Sequence, residues 1–267
     1  MINLKKIKTI LLKLLGLQIT SFIQALRFLY LLKKKKSFDP ETKMLDKFLS
    51  TGDIAVDIGA NGANWTYCLH KAVTASGVVF AFEADPYYAK ATDLAIKMMK
   101  MKNVFLFPFG LSDKIENVPL RIKNSNGMRY AGMGFVDKNA DPKNDNIEMV
   151  NLKTLDSLIN EYPGLESVKL IKCDVEGYEL FVFMGSVEIL KKTRPIIVLE
   201  VGNYEKHNYD GSLLYNFFKD IKYTAYALSN DNKLSETDLY LNHKNALSVN
   251  RILMPNEKIK LFENILQ

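Results

Sequence analysis

The chain has 267 residues, 48% hydrophobic and 25% charged, which is ordinary for a globular protein and long enough to bury a sizeable core as one α/β domain with additions. Its two cysteines, Cys68 and Cys173, exclude a disulfide framework and offer no Cys/His spacing for zinc; they read as small buried hydrophobes in a reducing cytosol. The net charge of +6 is uneven: residues 1–36 hold nine of the 36 Lys and Arg and none of the 30 acids, and no aromatic-interleaved basic surface elsewhere makes nucleic acid a partner.

Residues 2–32 are rich in Leu, Ile and Phe and close on Lys33-Lys34-Lys35-Lys36. Lys6, Thr9, Lys13, Gly16, Thr20, Gln24 and Arg27 recur every three or four positions, which predicts a helix with one narrow polar stripe and a wide apolar face. Lys13 and Arg27 interrupt any run of the about 20 apolar residues a span requires, and no small-residue cleavage site of a secretory signal precedes the lysines. Three readings stand: a helix lying in an anionic membrane interface, an amphipathic helix packed on the domain or a partner subunit, and a weak span. The division is thus an N-terminal segment, 1–38, with peripheral membrane contact through residues 1–36, and a domain, 39–267. A cytoplasmic protein at the inner face of the membrane fits this division, with its oligomeric state open.

Ser37-Phe38-Asp39-Pro40 breaks the first helix, and a short one follows from Glu41 to Leu49. The run Ile54-Ala55-Val56 is the first strand, ending in Asp57 and the tight turn Gly59-Ala60-Asn61-Gly62. A helix is predicted over Ala63–Ala75, a strand over Val78–Glu83, a helix from Pro86 to Met101 opened by Asp85-Pro86, and a strand over Val104–Phe107. This alternation is the signature of a parallel sheet. The rhythm then changes. Residues 117–150 hold short β-like pieces, Val118–Ile122, Met133–Val136 and Glu148–Leu152, read as a small antiparallel insertion at the ligand edge of the sheet. Thr154–Asn160 reads as a short helix, Val168–Asp174 as a strand, Gly177–Lys191 as its helix and Pro195–Glu200 as another strand. Leu213–Asp220 is a helix, and Tyr223–Leu228 and Ala246–Leu253 are the last strands.

The chemistry gathers at strand ends. Open α/β sheets bind ligands at the carboxyl edge of their strands, where Val56-Asp57-Ile58-Gly59 turns, and glycine lets the backbone approach a ligand closely. The turn is not Gly-x-Gly-x-x-Gly, so the pyrophosphate-binding fingerprint is missing. Glu83, one βα unit later, is placed to hold the two hydroxyls of a ribose. A ribose site without a pyrophosphate site suits a nucleoside cofactor with a compact positive group, and S-adenosylmethionine fits. Asp57, Glu83, Asp174 and Glu200 all fall at strand ends, where buried carboxylates need partners. Asp174 and Glu176 alternate across one strand exit, and Glu179 reads as a cap on the helix that follows. Two carboxylates are too few for a metal site, and none is expected.

Val56–Gly62, Phe80–Pro86, Gly110-Leu111-Ser112-Asp113, Thr154-Leu155-Asp156-Ser157-Leu158, Ile171–Glu179 and Pro195–Glu200, in this order, resemble the FkbM family of S-adenosylmethionine-dependent methyltransferases over roughly residues 50–205. The resemblance implies a class I methyltransferase fold, a Rossmann-like α/β domain with seven mostly parallel strands and helices on both faces. It implies that Asp57, Gly59, Ala60, Asn61 and Gly62 shape the methionine end of the cofactor site, with Asp174 beside them. Glu83 would hold the ribose, and Ser112 and Asp113 would approach the adenine. The family motif runs Gly-Ala-Asn-x-Gly, whereas Gly62 here follows Asn61 directly. Asp174, Glu176, Glu200 and His207 are the candidate bases for activating an acceptor. The function expected is O-methylation of a sugar hydroxyl on a surface glycan or a lipid-linked glycan. The alternatives are a methyltransferase of a lipid or small secondary metabolite, and a catalytically silent membrane-associated module. A Rossmann dehydrogenase or epimerase lacks its phosphate-binding glycines here.

Overall fold

The computed structural model describes residues 4–34, 38–124, 128–130, 132–144, 146–239 and 247–266, with side chains from residue 16 onward except Leu17. A long helix α1 (Leu4–Lys33) precedes a 3-10 turn and the one-turn helix α2 (Leu45–Phe48). The domain then alternates β1 (Ile54–Ile58), α3 (Asn64–Val73), β2 (Val78–Phe82), α4 (Pro86–Met98) and β3 (Val104–Phe107). Four short strands follow: β4 (Gly110–Leu111), β5 (Glu116–Arg121), β6 (Phe135–Val136) and β7 (Ile147–Lys153). The second half holds β8 (Val168–Cys173), α5 (Glu179–Met184), α6 (Val187–Thr193), β9 (Ile196–Glu200), α7 (Gly211–Asp220), β10 (Tyr223–Leu228), β11 (Leu234–Thr237) and β12 (Asn250–Pro255).

The main sheet runs β11-β10-β12-β9-β8-β1-β2-β3. β9, β8, β1, β2 and β3 are parallel neighbours, and β12, β10 and β11 pair antiparallel at the other end. β1, β2 and β9 are buried almost throughout, on both faces, which is why they read as apolar runs ending at an acid. This is the class I methyltransferase arrangement, with eight strands where seven were expected. The extra one, β11, hairpins back on β10 at the sheet edge; only Leu234 of its four residues is buried, so it leaves little hydrophobic signal.

The insertion forms a second sheet in the order β4-β7-β5-β6. Over 117–150 the pairing is antiparallel, β5 with β6 and with β7; β4, before that stretch, continues from β3 and pairs parallel with the end of β7, Gly110 against Leu152. Val118, Leu120, Val150 and Leu152 bury their side chains in the main core, which locks the insertion over the carboxyl edge of β1 and β2. The helix expected over 177–191 is two helices. A Cβ at Gly185 would stand 1.9 Å from the Ser112 carbonyl oxygen, so the chain must narrow where it passes β4. The helix expected over 154–160 is a 3-10 turn, Asp156–Leu158; the Asp156 carboxylate accepts from the Glu188 and Ile189 N–H groups (2.9 and 3.0 Å) and so caps α6.

α1 breaks at Gly16, whose φ of 72° and ψ of 168° leave the helical region. Beyond the break Thr20 and Gln24 of the polar stripe turn inward, while Arg27 stays exposed. Thr20, Ser21, Gln24, Ala25, Phe28 and Leu32 are buried, and Phe28 packs with Tyr87, Tyr88, Ala91 and Ala95 of α4. Tyr87 Oη donates to the Thr20 carbonyl at 3.2 Å. Packing on the domain therefore uses the small and polar side of the helix, not its wide apolar face.

Candidate active site

β1 enters the site buried, and Gly59 turns it. With φ at 84° and a would-be Cβ 1.9 Å from the Asp174 carbonyl oxygen, no side chain fits there. The Gly59 and Ala60 N–H groups both donate to the Phe82 carbonyl at 2.9 Å, tying the turn to β2. Asn61 follows with φ of 39°, and its N–H donates to Glu83 Oε2 at 2.7 Å. The Asp85 N–H donates to the other oxygen, Oε1, at 2.9 Å. Glu83 is thus held by two backbone donors, one on each oxygen, at the mouth of β2. Burial, then the nearby Asp85 charge, pushes its carboxyl up to about 8, against the pull of those two N–H groups.

Asp57 lies deeper. Its side chain is buried, accepts from Thr66 Oγ1 of α3 at 2.5 Å, and is raised by burial to about 6. Its neighbour in register is Lys172 of β8, also buried, which donates to Asn250 Oδ1 at 2.7 Å and stands 5.3 Å from the Trp65 ring. Asp57 therefore braces the turn from beneath and does not line the cleft above it. Gly62 is pressed from outside: a Cβ there would come within 2.9 Å of the Phe28 ring of α1.

The cleft above the sheet edge lies between the Gly59–Asn61 turn, Glu83–Asp85, the β8 exit at Asp174–Glu176 and the insertion. The insertion supplies Gly132, Met133, Gly134 and Phe135 as its roof. Gly132 lies so close to Asn61 that a Cβ would be 2.2 Å from Asn61 Nδ2. Arg129 anchors this roof: its guanidinium pairs with buried Asp85 and lies 4.7 Å from the Tyr87 ring centroid. Asp85 also accepts from the Tyr87 N–H at 2.9 Å, capping α4. Sequence reading did not find Arg129, whose loop has no periodicity. Lys172 did leave a signal: a lysine inside the run Leu170-Ile171-Lys172-Cys173 has no exposed face in a central parallel strand.

Asp174 and Glu200 stand at the adjoining ends of β8 and β9, and both line the cleft. Burial, reinforced by the Asp174 charge, holds the Glu200 carboxyl well above its ordinary range. Glu176, with φ of 59°, also lines the cleft; its Oε2 accepts from Asn203 Nδ2 and Lys206 Nζ, both at 3.1 Å. His207 stands behind it rather than on the cleft wall. Its Nε2 is 3.2 Å from the Glu176 carbonyl oxygen; a carbonyl only accepts, so Nε2 carries the proton. Its ring crosses Tyr178 edge-on at 5.0 Å, and burial lowers its pKa, leaving it neutral near pH 7.

Glu179 begins α5 and folds back on the turn, where Oε1 accepts from Val175 and Gly177 N–H at 3.0 and 3.3 Å. Ser112 and Asp113 do not line the cleft; Gly110 and Leu111 before them do. The Ser112 hydroxyl donates to Asp113 Oδ1 at 2.9 Å and lies 3.1 Å from Tyr178 Oη. The structure thus brings Gly59, Asn61, Glu83, Asp174, Glu176 and Glu200 onto one wall. It sets Asp57, Gly62, Ser112, Asp113 and His207 around that wall as supports.

Among the described residues, the cleft wall carries five carboxyls, Glu83, Asp85, Asp174, Glu176 and Glu200, and no Lys or Arg. Such a lining offers a phosphate no cationic partner on the wall. With a pinned carboxylate for hydroxyls and a glycine turn for close approach, it fits a nucleoside that carries a sulfonium group.

The chain matches the methyltransferase FkbM domain over residues 57–224. No curated protein matches it. Among solved structures, it is similar to methyltransferase FkbM from Methylobacillus flagellatus KT, at 13% identity and a TM-score of 0.49, covering 77% of this chain and 44% of that one. It is also similar to a Streptococcus mutans protein in complex with SAH, at 13% identity and TM-score 0.45, covering 80% and 94% of the two chains. A SAM-dependent methyltransferase from Aquifex aeolicus gives 13% identity and TM-score 0.44 over 82% and 90%. The chain spans less than half the length of the Methylobacillus protein. The domain match covers more than half of the chain and takes in every wall residue of the cleft: this protein belongs to the FkbM family of methyltransferases, and its cofactor is S-adenosylmethionine.

Proposed function

We propose that the protein methylates a hydroxyl oxygen of a sugar, on a surface glycan or its lipid-linked precursor. The observation that carries this reading is the Asp174–Glu200 pair at the cleft. S-adenosylmethionine, when bound, supplies a methyl group already activated on a sulfonium. A sugar hydroxyl remains a weak nucleophile, and it gains from a base that takes its proton during attack. Asp174, beside Glu200 at the cleft, is the acceptor for the hydroxyl proton. Glu176, braced by Lys206 and Asn203, orients the acceptor from the same side. Positioning supplies much of the remaining acceleration, which suits a roofed cleft. Tyr178 and Phe135 add aromatic faces against which a sugar ring can lie. His207 supports Glu176 through its backbone and is a positioning residue in this scheme.

The test starts from S-adenosylmethionine labelled in its methyl group, the purified protein, and cell extracts separated into glycan, lipid-linked glycan, lipid and small-molecule fractions. Label in a sugar of either glycan fraction, released as an O-methyl sugar, supports the reading. In parallel, surface glycans from cells lacking the protein should lose one CH2 unit in mass. Label confined to sugar-free lipid or small molecules overturns the glycan acceptor, and no transfer with intact cofactor binding points to a silent module.

A further inference from the structure

α1 splits its two sides. From Gln18 onward the inner side is committed to α4 and to the turn at Gly62. The outer side carries Ile19, Phe22, Ile23, Leu26 and Tyr30, each between 44% and 56% exposed, at the i, i+3, i+4, i+7, i+11 spacing of one helical face. A surface helix ordinarily does the reverse. Single exposed apolar residues are common, but a contiguous stripe marks a contact surface.

We propose that this outer side of α1 docks on the surface of an anionic lipid bilayer, with the helix lying in the headgroup plane. The charge around the stripe selects the partner. Arg27 and Lys33 are exposed on the same helix, Lys34 is exposed just after it, Lys35 and Lys36 follow in sequence, and no acid occurs in residues 1–36. An apolar face bordered by lysines is what an interfacial helix presents to anionic headgroups. Among the described residues no helix is long and apolar enough to cross a membrane, which fits a helix that lies on the bilayer. A second copy of the chain suits the face less well: a two-fold pairing would set two acid-free basic segments against each other. The proposal does not depend on the acceptor, since docking is measured without acceptor or cofactor.

The test is flotation of the full-length protein with phosphatidylcholine vesicles, with and without phosphatidylglycerol. Binding should require phosphatidylglycerol and weaken as salt rises. The quadruple variant Ile19→Ser, Phe22→Ser, Ile23→Ser, Leu26→Ser changes exposed positions only; it should lose vesicle binding while keeping cofactor affinity and melting temperature. Each Lys→Gln change at 33–36 should lower the partition about fivefold. Equal vesicle binding by wild type and the serine variant overturns the proposal, as does binding indifferent to phosphatidylglycerol. So does a protein that ignores vesicles but forms a dimer, seen by light scattering, that the serine variant dissolves.

Discussion

Glu83→Gln tests the cofactor site at its most constrained point. Both carboxylate oxygens of Glu83 accept from backbone N–H groups, Asn61 at 2.7 Å and Asp85 at 2.9 Å. A glutamine amide has one acceptor oxygen, so whichever way it turns, its NH2 faces one of those N–H donors. The variant loses the charged acceptor for the ribose hydroxyls and disturbs the turn that carries Asn61. Hydrogen bonds to charged groups contribute about 1.5–3 kcal/mol, so S-adenosylmethionine should bind about 10- to 150-fold more weakly by titration calorimetry. The wild type adds a second signature. With the free-cleft carboxyl near 8, Glu83 is largely protonated at pH 7, whereas ribose hydroxyls and a nearby sulfonium both favour its ionised form. Binding must then release a proton, and affinity should rise by up to about tenfold per pH unit from pH 6 toward 8 and level off above. Titrations in buffers of different ionisation heat count that proton. Glu83→Gln should remove both the release and this part of the slope. Wild-type affinity and pH profile persisting in the variant would refute the ribose assignment.

Three more outcomes follow from the site. Asp174→Asn and Glu200→Gln should each slow methyl transfer by about a hundredfold with little change in cofactor affinity; initial rates with labelled cofactor and the glycan fraction check this, and normal turnover in both moves the base elsewhere. Arg129→Ala leaves Asp85 buried without its ion partner, a loss of about 3–5 kcal/mol, read as a melting temperature lower by about 2–4 °C per kcal/mol; an unchanged melt would mean that the roof is not anchored there. Asp57, Glu83 and Glu179 all have carboxyls raised in the fold, to about 6, 8 and 7. The folded chain therefore holds protons the unfolded chain has released. Stability from these groups is full below their ordinary range near pH 4 and is lost as pH rises through 6 to 8. The cofactor-free protein should melt higher at about pH 5.5 than at about 8.5, and a rise across that window would contradict the burial of these groups.

By itself the sequence determined the sheet's parallel half and its chemistry. Ile54–Val56, Val78–Glu83 and Pro195–Glu200 read as strands because strands buried on both faces are apolar along their length, and acids at their exits stand out against such runs. The Gly59 turn and Glu83 were legible for the same local reason. What only the tertiary structure decided depends on residues far apart in the chain. β11 pairs at an edge with one buried residue, so its signal is its partner β10 and not its own composition. The parallel pairing of β4 with β7, the split of α5 from α6 at Gly185 and the Arg129–Asp85 pair each join segments separated by dozens of residues. The orientation of α1 is the clearest case. Periodicity shows that a helix has two faces, but which face turns inward depends on the shape of the surface it meets. Here α4 presents Tyr87, Tyr88, Ala91 and Ala95, whose relief accepts Ala25 and Phe28 closely and leaves Ile19, Phe22, Ile23 and Leu26 outside.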